Sequence, residues 1–174
     1  MKIINTRFHG LKIIKGINHH DKRGYVREIL KNNFFKDKNF IFSIISKSKK
    51  NVIRGLHLHK KAQQEKFVSV VNGKIFDVVL DLRKKSKTYG KHFSIILSEK
   101  NSISLFIPAG FAHGHCGLQK DNLVLYGFTN YRSKNDEMGI LWNDKSLKIK
   151  WPTSKPILSK KDKNNITFEK FNNF

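Results

Sequence analysis

Phe67-Val68-Ser69-Val70-Val71-Asn72-Gly73-Lys74-Ile75-Phe76-Asp77-Val78-Val79-Leu80-Asp81 is the stretch whose reading decides the fold class. Two β-branched runs flank Asn72-Gly73, where both positions tolerate positive φ, so the segment reads as two strands joined by a tight hairpin turn. Its apolar residues alternate or run continuously, without the 3.6-residue period of an amphipathic helix. Working outward, the same texture recurs at 11–17, 25–29, 40–46 and 51–59 before it. It recurs again at 93–98, 104–107, 123–130 and 139–142 after it. Short strands at this spacing, separated by turn residues, predict a sandwich or closed barrel. The expectation is one all-β domain over 1–174, a jelly-roll barrel, with only the polar tail beyond Lys160 loosely held.

The chain of 174 residues, 39% hydrophobic with fourteen Phe, is long enough to bury roughly 70% of its unfolded surface in one core. That composition does not belong to a disordered chain. Charge and glycine interrupt the first sixteen residues before a signal-peptide apolar region forms, and no run reaches transmembrane length. A single cysteine, Cys116, makes no internal disulfide, so a reducing, cytoplasmic compartment is expected. The net charge of +22 invites a nucleic-acid reading. Its lysines, however, fall in short scattered clusters at 47–50, 60–61, 83–87 and 160–163, in a chain generally rich in Asn and Ile. The expectation is no nucleic acid and no membrane partner; a positive field serves equally to attract a doubly charged diphosphate.

Two histidine clusters carry the chemistry. The first is Arg54-Gly55-Leu56-His57-Leu58-His59, followed by Gln64-Glu65-Lys66. On a strand, His57 and His59 share a face because side chains alternate with period two. The second is Pro108-Ala109-Gly110-Phe111-Ala112-His113-Gly114-His115, where Pro and Gly make a turn that delivers His113 to the start of a strand. Two chemistries fit. His57, His59, Glu65 and His113 have the types and spacing of a divalent-metal site, as in metal-dependent cupins. Alternatively one histidine is a general base and the rest bind an anionic substrate. Spacing alone does not decide between them.

Further segments bear on the choice: Asp21-Lys22-Arg23-Gly24 with Glu28, Ser46 through His57, Lys66-Phe67-Val68, and Gly73 through Arg83. They continue with Ser86-Lys87-Thr88-Tyr89-Gly90, Ile107 through Gly114, Leu125-Tyr126, Glu137, Ile140 through Asp144, Ile149-Lys150-Trp151-Pro152, and Leu158 through Asp162. In this order, from Asp21 to Asp162, the chain resembles the dTDP-4-dehydrorhamnose 3,5-epimerase family, a metal-independent branch of the cupin superfamily. The resemblance implies catalytic roles for His57 as base, Asp162 as its carboxylate partner, Tyr126 as proton donor and Lys66 beside the keto oxygen. It implies that Arg23, Glu28, Arg54, His113, Glu137 and Lys161 bind the nucleotide sugar. It further implies a homodimer in which N-terminal strands carry Arg23 and Glu28 to the neighbouring site, and no metal or other cofactor.

These residue types suit the reaction. A C4 ketone acidifies the hydrogens on C3 and C5, because the carbanion delocalises onto oxygen. Inversion then needs a base on one face, an acid on the other and positive charge at the enolate oxygen. The expected activity is epimerisation at C3, C5 or both of a nucleotide-diphosphate 4-keto-6-deoxy sugar destined for a surface polysaccharide. Taken singly, the same residues have plainer readings. Tyr126 suits a core aromatic, Lys66, Lys161 and Arg54 suit solvated charges, and Asp162 lies in a polar tail. Asp77 and Asp81 share a strand face and read as structural or ion-paired.

The chain departs from the family in four places. Phe42-Ser43-Ile44-Ile45-Ser46 stands where the family has two amides, His59 where it has Gln, His115 where it prefers Phe, and Tyr131-Arg132 where it often has paired tyrosines. Loss of amides alters which substrate oxygens are recognised. The expectation is therefore a substrate other than dTDP-4-keto-6-deoxyglucose, a GDP-linked 4-keto-6-deoxy heptose being one candidate.

Overall fold

The computed structural model describes residues 1–31, 35, 38–60 and 63–173. Thirteen strands run in order. They are β1 (Lys2–Asn5), β2 (Lys12–Lys15), β3 (His19–Asp21), β4 (Gly24–Val26), β5 (Phe42–Lys49), β6 (Ile53–His59) and β7 (Lys66–Asn72). Then come β8 (Lys74–Asp81), β9 (His92–Ser98), β10 (Ile103–Ile107), β11 (Phe111–Gly117), β12 (Asp121–Phe128) and β13 (Glu137–Gly139). Two short helices, α1 (Lys160–Lys163) and α2 (Phe168–Asn172), lie near the C-terminus.

The pairing is nested: β5 with β12, β6 with β11, β7 with β10 and β8 with β9, all antiparallel. This is a long hairpin wound on itself, the jelly roll of the cupins. One sheet runs β1-β2-β10-β7-β12-β5, the other β13-β6-β11-β8-β9, and β3-β4 stand apart as a small hairpin. Between the sheets, Val68, Val70, Val124 and Leu105 meet Ile75, Val79 and Leu97, all at most 1% exposed. Full burial of each such side chain stabilises by roughly 1.5–3 kcal/mol.

The five-stranded sheet is covered on its outer face as well. Leu56, Val78, Leu80 and Ala112 pack there with Ile140 and Leu147, and Phe168 and Phe171 of α2 lean on them. That double coverage explains why β8 reads as a nearly continuous apolar run. Its odd positions, Asp77 among them, face the barrel interior, while Val78 and Leu80 face the C-terminal segment.

The fold departs from the expectations in several places. Gly73 turns at positive φ and Asn72 does not, and β7 and β8 lie in different sheets, so Asn72-Gly73 is a corner between sheets and not a hairpin. A side chain at Gly73 would collide with the Asp121 carbonyl, which seals that corner. β1 and β3 fall outside the expected strands, β11 begins two residues before the strand start expected at His113, and β13 lies just before the expected 139–142. The tail is not loose. Parallel bridges Val52 to Ile157 and Ile140 to Ile166 pin it on either side of α1. Neither helix is long and apolar enough to cross a membrane.

Candidate active site

β6 brings His57 and His59 to the mouth of the barrel, where both line a cavity of about 380 Å³. The cavity volume lies within the range of small-molecule sites. α1 sits over the same opening because Ser159 caps it, accepting from the Asp162 amide at 3.0 Å and donating to Asp162 Oδ2 at 2.8 Å. Thus oriented, and only 3% exposed, Asp162 holds His57 Nε2 at 2.5 Å through Oδ1. Burial works to raise the Asp162 carboxyl, but the hydrogen bond and charge of His57, with Ser159 and the Gly55 amide, hold it below the ordinary carboxylate range. In the neutral ring, with Nε2–H engaged by the carboxylate, the lone pair falls on His57 Nδ1. That nitrogen stands 3.6 Å from Glu137 Oε1, beyond hydrogen-bond reach.

Glu137, at the start of β13, is clamped by Arg132 at 2.7 Å and Lys161 at 3.1 Å. Burial opposes its ionisation, yet these two cations and His57 bring its pKa down to about 2. Lys66, at the start of β7, is 8% exposed and donates to the His57 carbonyl at 3.3 Å. Burial brings its pKa down to about 8, against the pull of Glu137 and Asp77. At neutral pH it remains a cation with little water around it.

β11 and β12 form the cavity floor. His113 Nε2 meets Asp77 Oδ2 at 2.8 Å, both side chains at most 5% exposed. Next to them Tyr126 Oη lies 2.9 Å from His115 Nδ1, and His115 Nε2 lies 3.3 Å from Ser48 Oγ. Burial, and then the Asp77 charge, push the Tyr126 hydroxyl well above the ordinary phenol range, Arg54 opposing. Arg54 reaches the cavity from β6 and donates through Nε to Ser48 Oγ at 2.9 Å.

Of the residues singled out from sequence, His57, Lys66, Tyr126, Asp162, Arg54, His113, Glu137 and Lys161 all line this one cavity. Arg23 and Glu28 do not. Arg23, with its side chain 83% exposed, pairs with Asp21, and Glu28 pairs with Lys31. The metal set is not assembled, which corrects that alternative: Glu65 is turned away and bound to Lys38 at 2.9 Å. Among the described residues no group of three His, Cys, Asp or Glu is placed to hold a metal ion. His59 remains in the cavity wall with both ring nitrogens buried and unpartnered; burial and Lys66 lower its proton affinity. Asp77, expected to be structural or ion-paired, is paired with His113. The sequence assigned no role to Ser48 or Ser159, whose hydroxyls carry no signal of their own along a strand or before a tail.

A His–Asp pair, a buried phenol and a buried ammonium converging on one cavity of a jelly roll define a proton-transfer enzyme of the cupin-like epimerase class. The family model described as dTDP-4-dehydrorhamnose 3,5-epimerase matches residues 5–170. A relative of that description from Shigella flexneri is 40% identical, covering 97% of this chain and 96% of its own. The crystal structure of the Elizabethkingia anophelis protein of that description is 36% identical, with a TM-score of 0.90 over 98% of this chain and 97% of that one. The crystal structure of a dTDP-6-deoxy-D-glucose-3,5-epimerase from Legionella pneumophila, in complex with dTDP-4-keto-L-rhamnose, is 35% identical, with a TM-score of 0.92 over 95% of this chain and 92% of that one. The chain belongs to the dTDP-4-dehydrorhamnose 3,5-epimerase family, and it is an isomerase.

Proposed function

We propose that this chain inverts C3, C5 or both of a nucleotide-diphosphate-linked 4-keto-6-deoxy sugar, with His57 as base and Tyr126 as acid. The observation that carries the reading is the His57–Asp162 pair at 2.5 Å, opening on the same cavity as the Tyr126 hydroxyl and the Lys66 ammonium. His57 takes the proton from the carbon beside the ketone, and the C–H electron pair delocalises onto the C4 oxygen. Lys66 stabilises that developing charge in a water-poor setting, where such a contact is a large contribution. Asp162 stabilises the imidazolium that forms. Tyr126 then delivers its proton to the opposite face. Every step is proton transfer, so the chemistry calls for no redox partner. In D₂O, His57→Asn abolishes deuterium uptake by the sugar while the fold is retained. Undiminished uptake would exclude His57 as the base.

Arg54, Lys161 and His113 are assigned to the nucleotide sugar. The active unit is taken to be a homodimer in which each protomer lends Arg23 and Glu28 to the other's cavity. Support comes from the exposure of Arg23 away from its own cavity, and from β5, a sheet edge whose Ile45 is 65% exposed. Sedimentation at micromolar concentration gives a dimer on this reading; a monomer with full activity contradicts it. A cytoplasmic setting is supported by the single, buried thiol of Cys116.

For the finer substrate, Phe42 and Ile44 wall the cavity with hydrocarbon. The reading takes the preferred sugar to be one other than the dTDP-linked hexose, a GDP-linked 4-keto-6-deoxy heptose of surface-polysaccharide synthesis being the candidate. Equal or faster turnover of the dTDP-hexose than of the GDP-heptose contradicts that preference.

A further inference from the structure

His115 is a histidine that the proposed reaction does not use. It is 1% exposed, and burial, with His113 next, brings its pKa down to about 3, so it carries a single ring proton throughout the neutral range. Which nitrogen bears that proton follows from its neighbours. Arg54 Nε has no lone pair and must donate to Ser48 Oγ, 2.9 Å away. The Ser48 side chain is buried, and the acceptor within its reach is His115 Nε2, at 3.3 Å. If Nε2 carried the proton, Ser48 would receive two donors and its own buried hydroxyl hydrogen would have no acceptor, which is costly. The arrangement that satisfies every group runs one way, from Arg54 to Ser48 to His115 Nε2. The ring proton then sits on Nδ1 and is donated to Tyr126 Oη, 2.9 Å away.

We propose that His115 is a positioning residue for the donor: its Nδ1–H holds Tyr126 Oη so that the phenolic proton points into the cavity, and it stabilises the phenolate left behind. The inference rests on Tyr126 being the donor. When the enolate is quenched, a new C–H bond forms, the phenolic O–H bond breaks, and its electron pair stays on Oη. Tyr126 is buried with Asp77 nearby, surroundings that oppose a phenolate. A hydrogen bond donated to the charged form offsets this, with the Arg54 cation at the far end of the chain. Solvent afterwards returns a proton to the phenolate and removes one from His57, whose side chain is 25% exposed.

The test uses the full-length protein with dTDP-4-keto-6-deoxyglucose in D₂O, comparing inversion with deuterium incorporation at C3 and C5 by NMR. A failing donor lets the enolate return to the face it left, taking deuterium from His57, so exchange continues without inversion. His115→Phe is expected to keep deuterium uptake within a few-fold and to lower inversion by about ten- to a hundredfold, the loss of one hydrogen bond to a charged group. His115→Asn, which returns an amide donor near the position of Nδ1, is expected to recover part of the inversion. An unchanged ratio in His115→Phe, or exchange and inversion falling in step, overturns the proposal. Should His115→Phe not fold, Ser48→Ala releases the ring to the other tautomer and should lower the same ratio; an unchanged ratio there overturns it equally. Tyr126→Phe separates the two layers. Wild-type inversion by Tyr126→Phe removes the donor assignment itself, whereas lost inversion there beside an unchanged His115→Phe removes only the role of His115.

Discussion

Lys66 shows how one residue's surroundings set the enzyme's working range. Burial brings its pKa to about 8 from 10.5, so the ammonium is present at neutral pH and lost as pH rises through that value. On the role proposed for Lys66, in which the charged form stabilises the enolate, kcat/KM for deuterium exchange should fall on the alkaline side of about pH 8. Lys66→Met should be slow throughout and lack that limb; a limb that survives the substitution would assign it to another group. At this scale the sequence was legible through the family resemblance, which picked out His57, Tyr126 and Asp162, and all three line one cavity. The partners of Asp77 and Ser48 stayed hidden because they lie 36 and 67 residues away, at His113 and His115. A carboxylate or hydroxyl alternating along a strand does not announce which histidine the fold will set beside it.

The pairing of β6 with β11, irregular between His113 and His115, is the feature on which the site depends. Gly55 and Gly114 meet there with their backbones nearly touching, and a Cβ on Gly114 would lie 2.7 Å from the Arg54 carbonyl and 3.1 Å from Gly55 Cα. Backbone on both sides cannot give way as a flexible side chain would, so Gly114→Ala must part the strands that carry His57 and His113. A loss of about 1–3 kcal/mol is expected from such overpacking, read as a lowered midpoint in thermal or urea unfolding. An unchanged midpoint would mean that the strands part freely. Here also lies the reason β11 was expected to begin only at His113 and not at Phe111. Its Ala112, Gly114 and Cys116 are small to let neighbouring layers approach, and small residues flanked by Pro108 and Gly110 read as turn. Asn72-Gly73 erred in the opposite direction. Its turn chemistry was right, but local sequence does not say whether two strands joined by a tight turn pair with each other or with partners further along the chain.

Across the whole molecule, the jelly roll was legible because ten of its apolar runs follow strand periodicity, whereas the position of the tail was not. Residues 160–163 are lysine-rich around one aspartate, a composition that suggests solvent. What brings Asp162 inward is non-local: the bridges at Ile157 and Ile166 tie the chain to Val52, just before β6, and to Ile140, just after β13, and α1 lies between them. The +22 charge belongs to this scale too, as a field that draws a diphosphate toward a cavity edged by Arg54, Arg132 and Lys161. All of it converges on one claim, that this barrel enolises a nucleotide-linked 4-keto sugar from His57. The most direct test is proton NMR of the wild-type protein in D₂O with dTDP- and GDP-linked 4-keto-6-deoxy sugars. Loss of the C3 or C5 proton signal, catalytic in protein and absent in His57→Asn, is the predicted result. Unchanged spectra for every sugar, from a folded protein, would contradict the account.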